Sequence, residues 1–267
     1  MNIVVCVKPV PDPEKYALLN IDPETKRLIR EGIPTIVNPS DKNALEAALQ
    51  IREKLGGKVV VLSMAPLFSQ DKIKECLAMG ADEGYLLSDR AFGGADTWAT
   101  SYTLAEGIKK IGIDVDLVLC GNESADGATS HVPPQLGEWL ELPHIANLLS
   151  IETDGSKAKV RKKMSDGFID YEVTLPACFS VARGANRPRL ISAMGVIKSK
   201  NKPLTVYTRE DLPLKDEYLG LAGSPTQAGQ LLSPDMSRKA DLLEGSPEEL
   251  AAQIFAVLRR AGVAGKD

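Results

Sequence analysis

Short apolar runs alternate along the chain with segments that carry one apolar stripe at helical spacing. The apolar runs, which predict strands, cover residues 3–7, 59–64, 83–87 and 117–120. The striped segments, which predict helices, cover residues 38–55, 72–79, 96–111 and 129–140. Two runs, at 59–62 and 117–119, lack alternation, which is typical of parallel strands covered on both faces. The pattern therefore predicts an α/β fold with a doubly wound, mostly parallel, Rossmann-like sheet.

The first predicted helix has the clearest local signals. Asn38 can cap its N-terminus, Pro39 suits the first helical position, and Asp41 lies near the positive end of the helix dipole. Gly56 and Gly57 provide the stop signal. The helix therefore begins directly after a predicted hairpin at residues 18–37, whose turn we place at 22–25.

The second half of the chain has a different pattern. Residues 147–175 alternate more, with turn signals at 154–156 and 165–167, which predicts an antiparallel meander ahead of a buried strand at 179–182. After Tyr207, proline, glycine, serine and charged residues dominate until an amphipathic helix at 247–261. We therefore predict an α/β domain over residues 1–207 and a C-terminal extended arm with a helix over residues 208–267.

Composition narrows the class of protein further. The 267 residues are 43% hydrophobic and 25% charged, which is the balance of a soluble globular protein. A formal net charge of −4 argues against nucleic acid as the main partner. The apolar runs are far shorter than the roughly 20 residues that cross a bilayer, and the first is too short for a signal peptide. We expect a cytoplasmic protein with no membrane partner.

The residues that usually carry metal or hydrolytic chemistry do not form a motif. The four cysteines include no Cys-x-x-Cys pair, and His131 and His144 are isolated from them, so we expect no metal site. No two glycines are two residues apart, which excludes the G-x-G-x-x-G fingerprint, and a Walker A loop is also absent. A serine nucleophile elbow and a catalytic triad are missing, which argues against a hydrolase.

Three stretches remain as candidates for function. Residues 120–136 leave a strand through small residues and enter a helix, so they can form an anion cradle, although spacing alone favours an ordinary loop. Residues 88–97 place two glycines beside Asp96 and Thr97, which can bond a flat ring or cap the next helix. Residues 183–202 form a basic patch, which is either a solvated face or a docking surface for an acidic partner.

Together these stretches resemble the beta subunit of the electron-transfer flavoproteins. The similarity covers nearly the whole chain and includes Val4-Val5-Cys6-Val7-Lys8-Pro9-Val10-Pro11, Asn38-Pro39, Met79-Gly80-Ala81-Asp82, Asp126-Gly127-Ala128-Thr129 and Asn186-Arg187-Pro188-Arg189. Two places are similar to the electron-bifurcating, FAD-containing branch. They are residues 126–130, where AMP-binding members carry a run of acidic residues, and residues 88–97.

The resemblance implies a subunit of a redox complex. In the bifurcating branch the beta subunit holds FAD, which takes a hydride from NADH and sends one electron to ferredoxin or flavodoxin. The other electron passes through the flavin of the alpha subunit, which the C-terminal arm embraces, to a flavin dehydrogenase. Ordinary members hold AMP instead and pass electrons from a dehydrogenase. A non-redox adenine-nucleotide module of similar fold is the competing class.

The resemblance also assigns roles to individual residues. The adenosine end would be lined by Cys6, Asn38, Asp41, Met64 and Ala65; the phosphates would be held by Gly121, Asp126, Gly127, Thr129, Ser130 and Val132; the isoalloxazine would be approached by Ala95, Asp96 and Thr97. Partner docking would involve Arg187, Arg189, Ala193 and Lys198. No catalytic side chain is implied, because the flavin performs the redox chemistry.

Two positions depart from the family's pattern. Pro133 stands where flavin-binding members usually have glycine, at the start of the predicted helix. Ala193 stands where the recognition loop usually has a leucine or similar residue. The second departure weakens the case for an ordinary acyl-CoA dehydrogenase as partner and brings in a flavin dehydrogenase for a 2-hydroxy acid such as lactate.

Overall fold

Thirteen strands and six α-helices lie within residues 1–18, 20–21, 28–29, 34–227, 229, 240 and 242–263, which the structure, a computed structural model, describes. The strands are β1 (Asn2–Cys6), β2 (Pro9–Pro11), β3 (Asn20–Ile21), β4 (Leu28–Ile29), β5 (Thr35–Val37), β6 (Lys58–Met64), β7 (Glu83–Leu87), β8 (Leu117–Gly121), β9 (His144–Thr153), β10 (Lys157–Lys163), β11 (Phe168–Thr174), β12 (Ala177–Val181) and β13 (Leu204–Tyr207). The helices are α1 (Pro39–Leu55), α2 (Gln70–Met79), α3 (Thr97–Ile111), α4 (Val132–Trp139), α5 (Ala193–Ser199) and α6 (Pro247–Arg260).

Nine of these strands form one sheet, in the order β11-β10-β9-β12-β8-β1-β6-β7-β13. Every neighbouring pair from β9 to β13 is parallel, whereas β10 pairs antiparallel with both β9 and β11. The predicted parallel sheet and antiparallel meander are therefore confirmed. The strand order reverses at β1, with β6 on one side and β8 on the other. Loops that leave a sheet at such a switch point diverge and open a crevice at the carboxyl ends of the strands.

The central strands bury both of their faces, as their continuous apolar runs predict. Ile3 and Val5 of β1 pack in the layer that contains Leu45 of α1 and Ile73 of α2. The alternate residues of the same strands face a second layer formed with α3 and α4, as the burial of Val4 and Leu136 shows. The sheet is packed between these two helical layers. This packing fixes the strand ends and therefore the points at which the loops of the carboxyl edge begin.

Some elements differ from the sequence-based expectation. Helix α4 begins at Val132 rather than near residue 129, and α5 and β13 were not predicted. β13 adds a four-residue parallel strand beside β7, and its side chains are only half-buried, so its sequence has no strong apolar signal. In the predicted hairpin at 18–37, β3 pairs antiparallel with β4, and the predicted turn at 22–25 lies outside the described residues.

Residues 208–227 belong to the first of two compact units, Met1–Gly229 and Gln230–Asp267. Leu212, Leu214 and Leu219 are buried in the layer of α3 and α4, and Lys215 donates its backbone N–H to the Tyr102 hydroxyl at 2.9 Å. The first unit therefore ends later than the boundary that we predicted at residue 207. The three leucines follow no helical or strand period, which is why the pattern did not identify them as core.

The second unit contains α6, whose N-terminus carries a capping box. Ser246 Oγ accepts a hydrogen bond from the Glu249 backbone, and Glu249 Oε2 accepts one from the Ser246 backbone at 2.8 Å. The helix predicted at 247–261 is thereby confirmed to within one residue. No helix in the described ranges has the length and apolar character of a membrane span.

Candidate nucleotide site at the carboxyl edge of the sheet

Asp41, in the first turn of α1, joins three segments at the switch point. Its side chain is buried, and its Oδ2 accepts the backbone N–H of Lys8 at 2.7 Å. Its Oδ1 accepts the Asn38 amide at 2.9 Å and the backbone N–H of Gly121 at 3.1 Å. Burial raises the pKa of Asp41 to about 7, although the hydrogen bonds from Asn38 and Lys8 act in the opposite direction. Asp41 thus holds the ends of β1 and β8 against α1.

Asn38 occupies the N-cap position of α1, but its side chain does not cap the helix. Its Oδ1 accepts the backbone N–H of Ala125 at 3.0 Å, and its Nδ2 lies 2.9 Å from the carbonyl oxygen of Glu123. Ser40 Oγ donates to the same carbonyl at 2.6 Å. The predicted capping by the Asn38 side chain is therefore wrong. Asn38 instead fastens the segment that follows β8, more than eighty residues away in sequence.

The β8–α4 loop (residues 122–131) presents a row of unbonded backbone amides. Ala128 and Ser130 have φ angles of +48° and +56°, in the left-handed region that residues other than glycine rarely adopt. His131, which follows, is right-handed, and such alternation turns successive N–H groups toward one point. Within the described residues, the amides of 129–132 donate to no acceptor. These four amides form a cradle for an anion.

The cradle is built by the loop more than by the helix that follows. Pro133 and Pro134 occupy the first turn of α4, and a proline has no N–H to offer. The first helical residue, Val132, therefore supplies the last free amide of the row. Gly127 precedes the cradle, and a Cβ there would lie 3.1 Å from Ser124 Oγ, a side chain that can rotate away. The β8–α4 loop contains three of the suggested phosphate-binding residues, Gly127, Thr129 and Ser130, and Val132 follows it as the first residue of α4.

Lys8 reaches this loop from the end of β1. Its ammonium nitrogen lies 2.7 Å from Asp126 Oδ1 and 3.4 Å from Ser124 Oγ. The family resemblance implies that Asp126 binds phosphate, and it implies no role for Lys8. The rule that ligands bind beyond the carboxyl ends of strands could have found Lys8, because it is the second residue after β1.

The β7–α3 loop (residues 88–96) is held by a different set of contacts. Asp96 caps α3 through its Oδ1, which accepts the backbone N–H of Ala99 at 3.0 Å. Its Oδ2 accepts the Thr226 hydroxyl at 2.6 Å, and its own N–H donates to Ser224 Oγ at 2.8 Å. Burial opposes these bonds, yet the pKa of Asp96 stays below its ordinary value. The capping that we considered for Asp96 is confirmed, and the carboxylate also anchors residues 224–226, which the sequence did not indicate.

The remaining predicted adenosine-end residues line the ends of β1 and β6. Cys6 pairs with Cys120 of β8 across the sheet, and both are buried. Contact with Cys120 and burial hold the pKa of Cys6 well above its ordinary value, so Cys6 acts as a neutral, apolar surface. Met64 ends β6, and Ala65 donates its backbone N–H to Leu87 at 3.1 Å. Cys6 and Met64 thus lie at the carboxyl ends of two neighbouring strands, β1 and β6.

Arg189, which the sequence suggested as a docking residue, is bound within the subunit. Its Nε and Nη2 reach Glu46 Oε2 at 2.8 Å and Oε1 at 3.0 Å, and its Nη1 reaches Glu53 at 2.5 Å. Burial raises the pKa of Glu46, but the bonds from Arg189 prevail and hold it below its ordinary value. Nearby, Asn43 Nδ2 donates to the Asn186 carbonyl at 2.7 Å. These contacts fasten residues 186–189 to α1.

The other suggested docking residues are exposed. Arg187 lies within the fastened segment but its side chain is exposed, Ala193 begins α5, and Lys198 lies near the end of that short helix. Leu190, ahead of α5, is 91% exposed, and Met194 within α5 is 58% exposed. Of the basic residues in the predicted patch, Lys198 lies in α5, whereas the others lie in the segments before and after this helix.

A doubly wound α/β sheet with a crevice at its switch point is the architecture of many nucleotide-binding proteins. The family model for the electron transfer flavoprotein domain matches residues 25–212. The caffeyl-CoA reductase-Etf complex subunit CarD of Acetobacterium woodii is 44% identical over 261 residues, 97% of this chain and 98% of its own. The electron transfer flavoprotein subunit beta of Thermoanaerobacterium thermosaccharolyticum is 43% identical over 250 residues, 93% of this chain and 94% of its own.

A third relative is the acryloyl-CoA reductase electron transfer subunit gamma of Anaerotignum propionicum. It is 35% identical over 257 residues, which cover 93% of this chain and 94% of the relative. The chain belongs to the electron transfer flavoprotein family, as a beta subunit. The resemblance stated from the sequence is confirmed at this level.

Proposed function

We propose that this chain is the FAD-binding beta subunit of an electron-bifurcating flavoprotein. In this role it would accept a hydride from NADH in the cytoplasm. One electron would go to ferredoxin or flavodoxin, and the other to the flavin of an alpha subunit and then to a flavin dehydrogenase. Confurcation, the reverse flow, would use the same groups. The row of unbonded amides at 129–132, beside the switch point of the sheet, supports a nucleotide phosphate site. The similarity of residues 126–130 and 88–97 to the FAD-containing branch carries the choice of FAD.

The residues at the carboxyl edge fit a nucleotide cofactor. The four amides would bind a phosphate, and the bonds from Asn38 and Asp41 keep the loop in place without ligand contact. The buried Cys6 and the strand end at Met64 offer an apolar surface for an adenine ring. The β7–α3 loop, with its backbone fixed by Asp96, would lie against the isoalloxazine.

The protein's contribution to the redox reaction is to bind and orient. When bound, the flavin supplies the hydride and single-electron chemistry. Gly121 allows the β8 strand end to approach α1, and Gly127 leaves room above the cradle. Residues 126–130 have one carboxylate, Asp126, where AMP-binding members carry a run of acidic residues, and this similarity to the FAD-containing branch favours FAD over AMP.

The names of the relatives support the proposed partners. One relative belongs to a caffeyl-CoA reductase-Etf complex, and another is an electron transfer subunit of acryloyl-CoA reductase. By analogy, this chain would join an alpha subunit and a dehydrogenase for an acyl-CoA or, given Ala193, a 2-hydroxy acid such as lactate. The C-terminal unit, with the apolar stripe Leu250, Ile254, Val257 and Leu258, would dock on the alpha subunit.

Replacement of Gly127 by Val tests the cradle. The added side chain meets only the rotatable Ser124 hydroxyl, so we expect the fold to persist while the bulk above the amides lowers FAD occupancy several-fold. Gly167→Val is the matched control, because a Cβ at Gly167 meets nothing within 4 Å. Full flavin content and full NADH oxidation in the Gly127 variant, in complex with the alpha subunit, would exclude this loop as the phosphate site.

The ordinary alternative is an AMP-binding beta subunit without its own flavin. It uses the same cradle, so the geometry of the amides does not separate the two. The cofactor content of the purified complex separates them. A colourless protein that retains AMP and no flavin would support the non-redox adenine-nucleotide module.

A further inference from the structure

The backbone of Lys8 is bonded at both its N–H and its carbonyl to residues at the start of α1. Its N–H donates to Asp41 Oδ2 at 2.7 Å, and its carbonyl accepts the N–H of Asn38 at 3.0 Å. The backbone position from which the Lys8 side chain starts is therefore fixed by the end of β1 and the start of α1. The ammonium at its other end extends to the β8–α4 loop.

At that loop, the ammonium of Lys8 is held by two oxygens. Asp126 Oδ1 lies at 2.7 Å and Ser124 Oγ at 3.4 Å. The Lys8 side chain is 48% exposed, whereas that of Asp126 is 12% exposed. A lysine ammonium has three N–H donors, so one donor remains after these two contacts. Both holding residues lie in the turn that precedes the free amides at 129–132.

A phosphate bound at this loop would need a nearby cation, because the loop itself carries negative charge. Glu123 and Asp126 both carry carboxylates in the loop, and a carboxylate repels a phosphate. Backbone amides supply partial positive charge, but a phosphate in a protein site is usually also neutralised by a lysine or an arginine. Lys163 and Arg183 line a cavity of about 170 Å³ whose wall also includes Asn122, Glu123 and Ala125 of this loop. Among the described residues, Lys8 is the cation whose ammonium bonds to side chains in the turn before the free amides.

We propose that Lys8 binds the phosphate of the nucleotide and that Asp126 positions the Lys8 ammonium instead of contacting the phosphate. The inference rests on the proposed nucleotide-binding function and refines its residue assignments. It removes Asp126 from direct phosphate contact, where its charge would be unfavourable. It adds a residue that the sequence analysis did not select.

The test compares two ligands that differ only in the phosphate. The full-length chain, stripped of bound nucleotide, is titrated calorimetrically with AMP and with adenosine, as wild type, Lys8→Met, Lys8→Arg and the control Lys54→Met, which lies in the last turn of α1. Loss of one charge-assisted hydrogen bond at a half-exposed site is expected to weaken AMP binding about tenfold in Lys8→Met. Adenosine binding stays unchanged, Lys8→Arg recovers most of the AMP affinity, and Lys54→Met behaves like wild type. Thermal unfolding of each variant verifies that the fold persists.

The possible results separate this inference from the function on which it rests. An AMP-to-adenosine affinity ratio that is the same in wild type and Lys8→Met overturns the role of Lys8 and leaves the nucleotide site intact. An equal loss of AMP and adenosine affinity also overturns it, since it shows a structural role. If the wild-type chain binds neither AMP nor FAD, the nucleotide site itself is wrong, and the role of Lys8 falls with it.

Discussion

The backbone nitrogen of Gly121 donates a 3.1 Å hydrogen bond to Oδ1 of Asp41, which ties the end of β8 to the first turn of α1. No side chain fits between them. A Cβ at Gly121 would overlap Asp41 Oδ1 and lie 2.7 Å from the Asp41 backbone nitrogen. The close approach of these two residues sets the distance between the end of β8 and the start of α1. The loop that carries the anion cradle begins directly after β8.

Gly121→Ala tests this close approach. Because the methyl group meets backbone and a buried carboxylate, α1 or β8 has to shift, and we expect a loss of about 1–3 kcal/mol in the free energy of unfolding. Denaturant unfolding measures it. Gly167→Ala, in an open turn, serves as control and should change stability by less than about 0.5 kcal/mol. Equal stability of the two variants would show that β8 and α1 are not in tight contact.

The pH dependence of stability reports on the Asp41 carboxyl. The folded protein raises its pKa from 3.8 to about 7, so the folded state holds the proton more strongly than the unfolded state. The stability from this group is therefore complete below about pH 4 and is lost as pH rises through 7. Between these values the wild type should lose up to about 1.4 kcal/mol per pH unit relative to Asp41→Asn.

Urea unfolding at a series of pH values measures this difference. Asp166→Asn, which removes an exposed carboxylate from a turn, is the control and should keep the wild-type slope. Parallel pH profiles for wild type and Asp41→Asn would contradict the assignment of the pH-dependent stability to Asp41.

Arg187 and Arg189 should respond differently to replacement, although only one residue separates them. Arg189→Ala removes the partner of the buried Glu46, and we expect about 1–3 kcal/mol of destabilisation. Arg187→Ala removes an exposed side chain and should leave stability within about 0.5 kcal/mol. Thermal unfolding of both variants gives the comparison. If Arg189→Ala is as stable as Arg187→Ala, its contacts with α1 contribute nothing, and a direct docking role becomes the better explanation.

Two truncations separate the units of the chain. A chain that ends after Gly229 keeps Leu212, Leu214 and Leu219 and should remain folded and bind AMP, while its affinity for the alpha subunit falls sharply. A chain that ends after Tyr207 exposes the surface that these leucines cover and removes the Asp96 bonds to Ser224 and Thr226. It should unfold at a lower temperature. Undiminished alpha-subunit binding by the longer truncation would show that the C-terminal unit is not the docking element.

The sequence predicted the central strands and most helices because their burial is local and periodic. The runs that include Val59 and Leu117 are covered on both faces, and such runs are apolar regardless of what covers them. The capping box of α6 is likewise a local signal. Helix α5 was missed because its seven residues bury no side chain and therefore carry no amphipathic pattern.

The sequence predicted which loops form the candidate site, but it did not predict the contacts that hold these loops. The rule for doubly wound sheets selected the segment after β8, yet the contact of Asn38 with Ala125 spans more than eighty residues, and no local pattern encodes it. The salt bridge between Lys8 and Asp126 joins residues still farther apart. Thr226, which bonds to Asp96, lies in the stretch that we predict as the arm. The boundary predicted at residue 207 puts the two residues in different domains, so it gives no reason to expect this bond.

The cofactor content of the native complex tests the central proposal most directly. The chain is purified together with its alpha subunit, denatured, and its released flavin and adenine nucleotides are quantified by chromatography against protein concentration. The proposed function predicts two FAD per heterodimer and no stoichiometric AMP. One FAD and one AMP per heterodimer would contradict it and would assign the chain to the ordinary AMP-binding beta subunits.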